Sequence, residues 1–154
     1  MPRFVEPMQC KPVKQLPAGE DWLYEIKFDG YRCLAIKTGE GVTLLSRNEK
    51  SLTSRFPDIA EAVKAMPGDF TLDGEVVAMD SEGRHSFQLL QNSASNNPRT
   101  AYYAFDALNI EGEDLLTTPL EERIERLESL MASLQTLCSC RRSLTVILSK
   151  SWRP

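Results

Sequence analysis

The sequence predicts an α+β fold with mostly antiparallel sheets and flanking helices, and three observations carry that prediction. Short runs rich in aromatic and β-branched residues are separated by glycine-bearing turns. Apolar residues recur at helical spacing in two other stretches. The two patterns interleave, so that hairpins are punctuated by helices.

Residues 22–28 (WLYEIKF), 34–36 and 42–45 read as strands of an N-terminal hairpin. Thr38-Gly39-Glu40-Gly41 supplies its turn, with two glycines free to take positive φ. Phe56, Ile59, Ala60, Val63 and Met66 then recur at helical spacing, with Pro57 tolerated in the first turn and Pro67-Gly68-Asp69 as the stop. Residues 70–79 read as a strand, 80–83 (DSEG) as a turn, 86–92 as a short helix and 93–99 as a polar loop. Residues 101–110 (AYYAFDALNI) return to strand and 111–114 (EGED) turn the chain. Thr118-Pro119-Leu120-Glu121 follows as a capping box, with Thr as N-cap, Pro at the first helical position and Glu at the third. Leu120, Ile124, Leu127, Leu130, Met131 and Leu134 form one stripe behind it, a core or partner face.

At 154 residues the chain is of single-domain size and long enough to bury a core. With 18 Lys+Arg, 22 Asp+Glu and a net charge of −4 it shows no basic footprint of a self-sufficient nucleic-acid clamp. Its 42% hydrophobic and 26% charged residues exclude wholesale disorder and a coiled-coil rod. No apolar run nears the roughly 18 residues that cross a bilayer, so no membrane role is expected. The start, MPRFVEPMQCKPVK, has no apolar h-region, and a secretory signal is not expected. Cys10, Cys33, Cys138 and Cys140 fit no metal-ligand spacing and read as reduced cytosolic thiols. His85, the only histidine, sits beside a turn and is expected to be exposed.

One hexapeptide concentrates chemistry: Lys27-Phe28-Asp29-Gly30-Tyr31-Arg32 sets a lysine, a carboxylate, a flexible glycine and an arginine close together. At average residue usage K-x-D-G-x-R arises by chance about once in 10⁵ positions. The motif resembles the active-site signature of covalent nucleotidyltransferases: ATP-dependent DNA ligases, RNA ligases and mRNA capping enzymes. Pro7-Met8, Leu16-Pro17 and residues 22–32 (WLYEIKFDGYR) are similar to the opening of bacterial ATP-dependent DNA ligases, most closely the ligase module of non-homologous end-joining. Residues 44–48 (LLSRN) with Phe56-Pro57, 72–78 (LDGEVVA) and 103–108 (YAFDAL) resemble that family's following blocks, in order and spacing. The resemblance covers roughly residues 4 to 131.

The resemblance implies a partial ATP-grasp-like nucleotidyltransferase domain of the DNA ligase type, using ATP and Mg²⁺ or another divalent cation. Lys27 would attack the α-phosphorus of ATP, form lysyl-AMP and expel pyrophosphate. A lysine nucleophile must lose its proton, which nearby cations such as Arg32 and a metal ion favour. Arg32 and Arg47 would serve ribose and phosphate, or the 5′-phosphate of a nick; Glu75 would accept from ribose hydroxyls, and Phe105 would stack on adenine. Glu25, one alternation from Lys27 on the expected strand, would border the base or the metal. Asp29, Gly30, Asp73 and Gly74 are supporting motif positions.

Departures from the family pattern accompany the match. After residue 131 there is no E-G-[IV] motif, Lys150 is the only lysine, and no OB-fold follows. No acidic residue follows Glu128, and Glu49 stands where the family usually has glycine. Residues 1–134 are therefore expected to be the N-terminal part of an adenylation domain. Residues 135–154 are expected to be a divergent tail left by truncation or a shifted frame. The leading reading is an ATP-dependent DNA ligase of the bacterial cytosol, associated with the nucleoid. It would act on nicked or broken double-stranded DNA, with a separately encoded C-terminal portion or end-joining proteins as partners. A non-catalytic remnant or nucleotide-binding interaction module is the alternative. RNA ligase is a third reading, although residues 22–32 read more like the DNA branch.

Overall fold

A computed structural model of the protein describes residues 2–19, 22, 24–92, 98–135 and 144–146. Strand β1 (Tyr31–Thr38) turns at Gly39-Glu40 into β2 (Gly41–Ser46), the hairpin expected from the glycine turn. Helix α1 (Pro57–Lys64) begins on Pro57, carries Asp58 in its first turn and Lys64 in its last, and buries Ile59, Ala60 and Val63. Gly68 beyond it takes a φ of 72°. Strand β3 (Phe70–Met79) has the bounds its composition predicts. The short α2 (Phe87–Gln91) is capped by Ser86, whose hydroxyl accepts from the Leu89 N–H. Strand β4 (Arg99–Ile110), the two-residue β5 (Glu113–Asp114), α3 (Leu120–Gln135) and β6 (Leu144–Val146) follow among the described residues.

The strands form one sheet in the order β2-β1-β3-β4-β5, antiparallel throughout, with β6 joining β4 in parallel. Register shifts between Thr71 and Leu72 and between Asp73 and Gly74 kink the β3–β4 ladder. The three described helices contribute to one core on one face of the sheet. Cys33, Ala35, Leu72, Val76, Tyr102 and Ala104 meet Phe56, Ile59, Val63, Leu90 and Leu127 there. Tyr102 is fully buried, and its hydroxyl donates toward the carbonyls of Cys33 and Leu72, at 3.0 and 3.1 Å. Helix α3 is tied to β4 by a two-pronged Arg123–Asp106 pair at 2.8 and 2.9 Å. Arg123 also donates to the Thr118 carbonyl at 2.7 Å.

Several expectations are corrected. Residues 24–29 are not a strand: they run without ladder pairing into β1, because aromatic composition supplies no partner strand and β3 pairs only from Tyr31 onward. The Glu25–Lys27 alternation therefore has no strand to define it. The long helix starts at Leu120 rather than Pro119, and Leu120 is exposed while Leu127 is buried. Glu113 and Asp114, read as turn, pair with β4. Residues 93–97, Cys138 and Cys140 lie outside the described residues.

Candidate active site

Strand alternation sends Arg32 of β1, Asp73 and Glu75 of β3, and Tyr103 and Phe105 of β4 to the face opposite the helices. They converge. Arg32 donates from Nε and Nη2 to the two carboxylate oxygens of Asp73, each at 2.6 Å, and its guanidinium lies 4.6 Å over the Phe105 ring. Burial pushes the Asp73 carboxyl above the ordinary carboxylate range, and its bonds from Arg32 offset part of that rise. Burial also disfavours the Arg32 charge, but the hydrogen bonds and charge of Asp73 outweigh it and the guanidinium stays firmly protonated. Both partners of the pair are therefore held by each other.

Glu75 is directly opposite Arg32 in the β1–β3 register. Its Oε1 accepts the Gly30 N–H at 3.0 Å. Burial raises this carboxyl, while the Gly30 bond and the charges of Arg32 and Lys27 pull it back. Lys27 itself is exposed, three residues before Gly30 and close enough for its charge to act on Glu75. The Lys27 charge is therefore felt by a half-buried carboxylate that lies in register with Arg32.

The two motif glycines are there for space. A Cβ on Gly30 would lie 2.1 Å from the Val76 carbonyl oxygen, and one on Gly74 would lie 2.5 Å from the Tyr103 carbonyl oxygen and 2.6 Å from the Tyr102 ring. Gly30 does not use the conformational freedom expected of it; it lets the Lys27 segment lie against β3. Asp29 and Glu25 are exposed. Arg47 is exposed in the turn after β2, one position past the last β1–β2 pair, Cys33 with Ser46. It lies at the sheet end that carries Arg32, without a described hydrogen bond or ion pair to the Arg32–Asp73–Glu75 group.

Sequence reasoning missed a second group on this face. Phe28 stacks on Tyr103 with ring centroids 4.5 Å apart and planes 8° off parallel. His85, exposed as expected, is nevertheless engaged, with Nε2 3.1 Å from the Tyr103 hydroxyl. The available signal was period-two alternation, which puts Tyr103 on the face of Phe105. No signal in the sequence pointed to His85.

Among the described residues no three His, Cys, Asp or Glu side chains cluster as a metal cage. Both Asp73 oxygens are taken by Arg32 and one Glu75 oxygen by Gly30. Mg²⁺ typically takes one or two protein carboxylates and fills its shell with water and substrate phosphates. The donor set thus fits only an ion that brings most of its shell with a nucleotide, with the second oxygen of Glu75 the one it could offer.

The model of the ATP dependent DNA ligase domain matches residues 7–147, through β6 and past the motif blocks. The chain belongs to the ATP-dependent DNA ligase family. It is 41% identical over 134 residues to the multifunctional non-homologous end joining protein LigD of Pseudomonas aeruginosa, covering 85% of this chain and 16% of that protein. To a DNA ligase of Natronomonas pharaonis it is 36% identical over 144 residues, covering 84% of this chain and 26% of the relative. The crystal structure of the ligase domain of M. tuberculosis LigD superimposes with a TM-score of 0.67 at 33% identity, over 79% of this chain and 38% of that one. A mycobacterial DNA ligase D complexed with ATP and MES gives 0.65 at 35% identity, with the same coverage. This ligase-family chain therefore spans a sixth to a quarter of the two curated relatives named.

Proposed function

We propose that this chain carries the nucleotide-loading chemistry of an ATP-dependent DNA ligase, with Lys27 as the residue that takes AMP. The single observation that carries the reading is the convergence of the Lys27 segment, Glu75, the Arg32–Asp73 pair and Phe105 on the open face of the sheet. The Lys27 amine attacks the α-phosphorus of ATP, a P–N bond forms, the bond to pyrophosphate breaks, and the amine proton goes to solvent. Glu75 keeps one oxygen on Gly30 and offers the other to a ribose hydroxyl or a metal ion. Arg32, already oriented by Asp73, presents its remaining donors to ribose or phosphate, and Arg47 and Glu25 border the nucleotide from the edges. Phe105 offers its ring to adenine. Bound Mg²⁺ neutralises phosphate charge when it comes with ATP.

In the complete reaction AMP passes to a 5′-phosphate at a nick or break in duplex DNA, and a 3′-hydroxyl then seals the strand. Relatives named for non-homologous end joining, and a solved ligase D holding ATP, support that substrate and nucleotide. A separately encoded C-terminal portion or end-joining proteins, in the bacterial cytosol, would supply what residues 1–134 do not. The test is mass spectrometry of purified protein incubated with ATP and Mg²⁺, beside Lys27→Ala. An AMP adduct that vanishes in the variant is expected. Folded wild-type protein without adduct would overturn autonomous loading and leave a nucleotide-binding module or remnant.

A further inference from the structure

Residues 24–29 carry Lys27 but have no ladder of their own, so side-chain contacts must fix them. One anchor is the Gly30 N–H on Glu75. Another is Phe28, the residue next to Lys27. Its ring lies flat on Tyr103 and joins Val77, Ala101, Tyr103 and Met79 in a second apolar cluster, separate from the core under the helices. Tyr103 is only 8% exposed and sits within β4, so it offers a rigid platform. His85 closes the group edge-on, 5.3 Å from Phe28 and 5.4 Å from Tyr103 between centroids, with Nε2 on the Tyr103 hydroxyl.

The turn after β3 is built to deliver that imidazole. Asp80 Oδ1 accepts from the backbone N–H groups of Glu82 and Arg84, both at 2.9 Å, and Gly83 takes a φ of 80°. The chain then returns so that His85 bridges Met79. Nothing in the nucleotide chemistry above uses His85 or Tyr103, yet together they hold the neighbour of the nucleophile.

We propose that Phe28, Tyr103 and His85 form a positioning clamp that holds Lys27 against the site; the inference rests on Lys27 being the nucleophile. Consecutive Cα atoms are about 3.8 Å apart, so fixing Phe28 and the Gly30 amide fixes the backbone from which the lysine projects. These are positioning residues, acting through Lys27. A misplacement of about 1 Å at a reacting centre costs roughly a hundredfold in rate.

The experiment uses the full chain and the variants Phe28→Ala, His85→Ala and His85→Gln, with two readouts. The first is backbone hydrogen–deuterium exchange over residues 24–30, which needs no ATP. The second is the rate of AMP-adduct formation across ATP concentrations, which separates maximal rate from half-saturation. The alanine variants are expected to exchange about tenfold faster over 24–30 and to lose at least about tenfold in maximal rate, with half-saturating ATP moved less than about threefold. His85→Gln keeps a hydrogen-bond partner for the Tyr103 hydroxyl and is expected to restore most of both. Unchanged exchange in both His85 variants, or an effect confined to half-saturating ATP, would overturn the clamp. His85 is exposed, so its variants keep the test decisive should Phe28→Ala fail to fold. A folded wild-type protein that forms no adduct would overturn autonomous loading, whereas exchange alone still decides whether the clamp holds the segment.

Discussion

Replacing Gly30 by alanine puts a methyl group where the fold has no space for it. Its Cβ would lie 2.1 Å from the Val76 carbonyl oxygen and 3.0 Å from Cγ of Glu75. Val76 cannot yield, because it is paired on one side with Tyr31 and on the other with Tyr102. The Lys27 segment must move instead, by 0.9 Å to open the 2.1 Å contact to 3.0 Å. That movement stretches the Gly30–Glu75 hydrogen bond, now 3.0 Å, beyond useful length. Losing a hydrogen bond to a charged group costs about 1.5–3 kcal/mol. A domain of this size loses about 2–4 °C in melting temperature per kcal/mol, so a drop of about 3–12 °C is expected. AMP-adduct formation on Lys27 should slow about a hundredfold. Gly39→Ala is the control, since a Cβ there meets nothing within 4 Å. Thermal melts and intact-mass kinetics read both effects. A Gly30→Ala protein that melts and adenylates like wild type would refute the close-approach reasoning.

Asp73→Asn removes the charge that holds Arg32. Breaking a buried pair costs about 3–5 kcal/mol. Arg32 keeps 26% side-chain exposure, and Asn is cheaper to bury than the raised Asp73 carboxyl, so about 2 kcal/mol is expected in urea unfolding. Glu75→Gln probes the raised Glu75 carboxyl. The folded state binds that proton more tightly than the unfolded chain, so its stabilising effect is complete below the unfolded value of 4.5 and is lost as pH rises through the folded one. The melting temperature of Glu75→Gln relative to wild type should therefore rise with pH across that window, and a flat difference would contradict the burial assignment. Glu49 takes a φ of 58°, a left-handed backbone in which a side chain is strained. Glu49→Gly should stabilise by about 0.5–1 kcal/mol once glycine's greater unfolded-state entropy is offset, read as a rise of a few degrees in thermal melting.

Much of the fold was legible because its signals are local. The bounds of β3 follow from composition alone, and α1 begins at a proline and buries the residues its spacing selects. The motif blocks were also legible, and they identified the family that the comparisons confirm. The failures share a cause. Residues 22–28 have strand composition, but a strand needs a partner, and the partner's reach is set by β3 and not by the segment itself. Gly30 looked like a hinge because freedom is glycine's usual use; its actual neighbour, Val76, is 46 residues away in sequence.

The sequence by itself determined most element types and the family, since periodicity, capping and motif spacing are properties of neighbours along the chain. Only the tertiary structure decided that Asp73 orients Arg32 and that Arg32 covers Phe105. It also decided that Gly30 is a spacer and that Phe28 rests on Tyr103 under His85. Each of those contacts joins residues brought together by antiparallel pairing. Register, bulges and the face to which a side chain points are fixed only when the strands meet.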